Sequence, residues 1–226
     1  VLTTGDSSEQ SAGVIVIGAG QSKSDGATVT IAAGESTARD NAAGGSLALG
    51  SGSGAQGGDV LISSGSGAVG SGGSVSVTAG SGAGSATGGD VTFQAGSTRN
   101  GGSAGSVTVN GGFGAHGAIG GEVTISGGIS DSATGGELKL FGGASERSVS
   151  GSVSISSSDS ATSSGNVDVL TGDSAGSASG EIFVQAGSTV SKDATGGSLS
   201  IQSGAGAFGG SIEISTGVNA ELEPSC

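Results

Sequence analysis

The sequence predicts an all-β chain: a parallel β-solenoid (β-helix) of about seven coils, each of ~31 residues and two strands. Three observations carry this. A nine-residue phrase, Gly-Gly-polar-apolar-polar-apolar-polar-small-Gly, recurs along the chain and is clearest at Gly88 to Gly96. Its two apolar residues stand two apart, the spacing that puts side chains on one face of a strand. The copies return every 13 to 18 residues, an interval that a linker has no reason to keep.

Composition sets the problem that the repeat must solve. The 226 residues include 52 Gly and one Cys, with no Met, Trp or Tyr. So few bulky side chains would ordinarily mean a disordered Gly/Ser linker, and ordered repetition argues against that. A net charge of −13 disfavours nucleic acid and anionic membrane surfaces as partners. No apolar run is long enough to cross a bilayer. The single Cys, Cys226, makes no internal disulfide.

Taken in order, the first inward apolar residue of each strand runs Ile15, Val29, Leu47, Val60, Val75, Val91, Val107, Val123, Leu138, Val153, Val167, Ile182, Leu199 and Ile212. A second follows two places on, from Ile17 to Ile214, and a third inward place is small, as at Ala33, Ala79, Ala186 and Ser203. Long polar loops such as Gly34-Glu35-Ser36-Thr37 follow even strands, and Gly-x-Gly-Ala loops such as Gly52-Ser53-Gly54-Ala55 follow odd ones, with Gly65-Ser66-Gly67-Ala68 an odd-type loop in an even place. That alternation favours two strands per coil over one. One coil alone buries too little to order itself, so neighbours must supply the interior. Residues 1–217 form the repeat domain, which begins in mid-repeat at Leu2-Thr3-Thr4-Gly5. Residues 218–226 read as an exit tail or linker, because the Gly-Gly phrase is gone and Pro224 cannot donate to a ladder.

Few residues carry chemistry. Asp59, Asp90 and Glu122 fall at one outward place on successive coils, roughly 5 Å apart. A cation such as Ca²⁺ would relieve their repulsion; the alternative is a solvated acidic stripe. No other cofactor is implied. Phe141 and Leu170 fall outward on adjacent coils and suggest an interaction patch, and Lys139 and Asp168 a surface pair. Gly-x-Gly-x-x-Gly occurs at Gly52 to Gly57 and three further places, but no helix pattern follows, so these are turn glycines rather than a nucleotide site. His116, the only His, lacks the third group that a Ser–His nucleophile needs. No Asn-x-Ser/Thr sequon occurs, while the Ser/Thr-lined faces are compatible with O-linked glycans.

The phrase, with its Ser-Ala-Thr-Gly-Gly linkers, resembles the Gly/Ser-rich solenoid repeats of large surface proteins from algae and oomycetes. The resemblance implies an extracellular, non-catalytic structural part and transfers no functional residue. The expected function is therefore a structural module of an extracellular filament, appendage or cell-surface coat, assembling by stacking and lateral contacts with itself or with other coat chains. Two alternatives belong to other classes. Ice binding would use the outward column Thr30, Thr92 and Thr124, which Leu61 and Phe183 interrupt. A polysaccharide-active enzyme would use Asp59, Asp90 and Glu122, but it lacks an aligned base and any Trp or Tyr to stack sugars.

Overall fold

A computed structural model describes residues 1–9, 11–38 and 42–217. Among these residues there is no helix and no strand. The expectation of a β-solenoid or β-helix, and with it coils of two strands, is therefore corrected. The chain divides into two units, Val1–Gly112 and Phe113–Cys226, and the repeat runs through both. The exit tail expected at 218–226 lies outside the described residues.

What orders the backbone is a single recurring bond. The Gly that opens a phrase, the second of a Gly-Gly pair except at Gly105 and Gly151, donates its amide back to the carbonyl of the Gly that closed the preceding phrase. In the first unit Gly45 donates to Gly34 (2.8 Å), Gly58 to Gly52 (3.0 Å), and Gly73, Gly89 and Gly105 to Gly65, Gly80 and Gly96 (2.9 Å each). In the second, Gly136 donates to Gly128 (2.8 Å), Gly151 to Gly143 (2.7 Å), Gly197 to Gly187 (2.8 Å) and Gly210 to Gly204 (2.9 Å). Each bond pinches shut a loop of five to ten intervening residues. Between pinches the count is constant. Residues 45–52, 58–65, 73–80 and 89–96 of the first unit, and 136–143 and 197–204 of the second, are closed at both ends and are eight residues long. Irregular repeat spacing is thus absorbed wholly in the loops.

The pinch also accounts for the small third place. A Cβ on Gly45 would lie 3.1 Å from the Gly34 nitrogen and 3.4 Å from the Ala33 Cβ, and one on Gly197 would lie 3.2 Å from the Ala186 Cβ. Close approach of two backbones needs Gly on one side and a small residue on the other. Ala79, Ala95, Ala186 and Ser203 are accordingly among the few half-buried residues of the chain. Where the third place is itself Gly, at Gly127 and Gly142, a Cβ would collide with the carbonyls of Gly136 and Gly151.

The pinch rules out one predicted geometry directly. A one-strand coil would bring the start of each segment back beside the start of the last, roughly 23 Å from its end for eight residues. At the nine pinches the start of a segment instead lies within a hydrogen bond of the preceding end. The two-strand coil is overturned by the absence of any strand among the described residues. Odd and even loops are pinched alike, so their difference in composition does not mark a coil.

The consequence is that the described residues build no interior of their own. No described residue is buried. The accessible surface is 22333 Å², whereas a folded monomer of 20.5 kDa exposes about 8,900 Å² and its unfolded chain about 30,000 Å². Eleven backbone–backbone hydrogen bonds join the described residues, where a folded chain of this length carries on the order of 150.

Candidate functional site

The feature that repeats is the apolar row. First-place aliphatics, Ile15 to Ile212, are 46–60% exposed and second-place ones, Ile17 to Ile214, 61–88%. Apolar residues on the opposite face, Val16, Leu61, Phe141, Leu170 and Phe183, are 80–88% exposed. A period of two in exposure is what an extended backbone produces. Side-chain pairs two residues apart agree: the Thr124 hydroxyl donates to Glu122 Oε1 (2.8 Å) and Lys139 Nζ reaches Glu137 Oε2 (2.7 Å). The rows are therefore formed, and half of each remains open.

The acidic candidates are not gathered. Asp59, Asp90 and Glu122 each follow a Gly-Gly pair and face solvent. No group of three His, Cys, Asp or Glu able to hold a metal occurs among the described residues. Lys139 turns to Glu137, two residues away on its own segment, rather than to Asp168. Phe141 and Leu170 are exposed. The described residues enclose no pocket.

Loop tips are shaped by turn chemistry. Ala86 donates to the Ala83 carbonyl (3.1 Å) around Gly84, and Ala118 to the Ala115 carbonyl (3.0 Å) around His116 and Gly117. His116 (φ 52°) and Gly117 (φ 83°) both lie in the left-handed region, the pattern of a type I′ turn. His116 is exposed there and meets a conformational need, since His tolerates positive φ better than most residues. In the Gly-x-Gly loops, a Cβ on Gly67 would run into the carbonyls of Gly70 and Ser71, and one on Gly114 into those of Ala118 and Ile119.

Sequence reasoning located the phrase but missed the pinch. A signal for it was present: the Gly that closes a phrase stands seven places after the Gly that opens it, as from Gly45 to Gly52 and from Gly197 to Gly204, however long the loop.

No family model, no curated protein and no solved structure matches this chain.

Proposed function

We propose that the chain is a non-catalytic structural subunit of an extracellular filament, appendage or cell-surface coat, and that assembly completes its interior. The observation that carries this reading is the half-open apolar row, repeated through both units. A soluble monomer does not leave so many aliphatics uncovered. The Gly-Gly phrase and its Ser-Ala-Thr-Gly-Gly linkers, similar to repeats of algal and oomycete surface proteins, support an extracellular setting. The Ser-rich loops leave room for O-linked glycans without disturbing the pinches. Phe141 and Leu170 are lateral contact residues in this reading.

Sedimentation velocity and negative-stain electron microscopy of the purified chain, across pH and ionic strength, test the proposal. Large ordered assemblies are expected under at least one condition of low net charge or high salt. A particle that stays monomeric under all of them overturns it.

A further inference from the structure

We infer that the surface covering these rows is a second copy of this chain, set parallel and without shift, so that each closed eight-residue segment bonds along its length to the same segment of the next copy. This rests on the reading of the chain as an assembly subunit, and it names the partner.

The first argument is backbone accounting. Inside the closed segments, no backbone–backbone bond among the described residues joins one segment to the middle of another. Polar backbone groups that leave water must find partners, and another extended chain offers a matched row of donors and acceptors. Apolar residues then meet apolar residues at every level, because the period of two is common to both copies.

Register comes from the loops. The closed segments are of one length, but the loops between pinches are not: ten residues between Gly34 and Gly45, five between Gly52 and Gly58, seven between Gly65 and Gly73, eight between Gly80 and Gly89. A copy set without shift places each loop over one of its own length. A shift by one repeat sets five residues against ten or seven. An unrelated protein has no reason to match that series.

The area suffices. The chain exposes roughly 13,000 Å² more than a folded monomer of its mass, and a standard stable interface buries about 1,600 Å² in all. Charge opposes the arrangement, since each copy carries −13 and Asp59 would stand over Asp59. Assembly therefore belongs to conditions that reduce or screen that charge.

The test is a spin label at Thr92→Cys in a Cys226→Ser background, with Ser154→Cys as the same probe in the second unit. In an unshifted parallel stack, labels recur at roughly 4.8 Å, and the three-line spectrum collapses to one exchange-narrowed line on assembly. Dilution with unlabelled chain restores three lines. The unmodified chain gains a far-UV β-sheet signal in step with its assembly. Assemblies that keep three lines at both sites, or that form without the β signal, overturn the unshifted second copy while leaving the subunit reading intact. No assembly at all overturns both.

Discussion

Gly136→Ala tests the pinch at its tightest point. A Cβ at position 136 would lie 2.8 Å from the Gly128 nitrogen and 3.5 Å from the Gly128 Cα. Both are backbone atoms, so no side chain can swing aside, and either the pinch opens or the chain shifts. The bond at stake is the 2.8 Å donation from Gly136 to the Gly128 carbonyl, worth about 0.5–1.5 kcal/mol. Overpacking of this kind costs about 1–3 kcal/mol where it cannot relax. Against this stands the loss of unfolded-state freedom on replacing Gly, which stabilises by about 0.4–1 kcal/mol. The net expectation is a loss of about 1 kcal/mol or more, enough to open the pinch. Gly128→Ala is the matched control. It sits at the other end of the same bond, and its Cβ would meet nothing within 4 Å. The assay is amide hydrogen exchange by NMR at position 136. In the unmodified chain that amide exchanges roughly 2- to 10-fold more slowly than a free amide, the factor equivalent to one such bond. Gly136→Ala abolishes the protection and Gly128→Ala keeps it. Equal exchange in the two variants would refute the claim that close backbone approach, rather than turn preference, places Gly there.

Lowering the pH toward the sequence pI of about 4.1 drives assembly. A stack that crowds carboxylates binds more protons than dispersed chains, so association strengthens as pH falls; light scattering at constant ionic strength follows it. Val123→Asp in a first-place row, where Val123 is 47% exposed, leaves the circular dichroism of the dispersed chain unchanged. It blocks assembly, because the aspartate would be buried only there. Lys139→Gln removes an exposed pair, so urea titration of the assembled material shifts by less than about 1 kcal/mol. Titration with Ca²⁺ at neutral pH gives no saturable stoichiometric heat from the dispersed chain, since Asp59, Asp90 and Glu122 form no ligand group within it; a sharp one-site isotherm would overturn that.

How much was legible in the sequence follows from what periodicity reports. The phrase located every apolar row: Val60 and Ile62, or Val123 and Ile125, are the partly covered face, and Leu61 is the open one. It also identified the small third place at Ala33, Ala79, Ala186 and Ser203, though its cause is the Gly of the next phrase and not a core. Alternation is a local property, fixed by backbone geometry within five residues. Which backbone lies alongside is a long-range property, and nothing in Val-x-Ile says whether the neighbour comes from the same chain. The solenoid prediction added the premise that successive repeats cover each other. The pinch removes that premise for neighbours in sequence, because Gly89 held to Gly80 fixes ends together and leaves the lengths of both segments free. Asp59, Asp90 and Glu122 likewise share a place in the phrase, and a shared place becomes proximity only where segments stack; no three such residues gather among the described ones. The sequence features that made a solenoid plausible are the ones that an assembly of separate chains requires, namely segments of equal length, rows of one hydrophobic period and glycines at every junction.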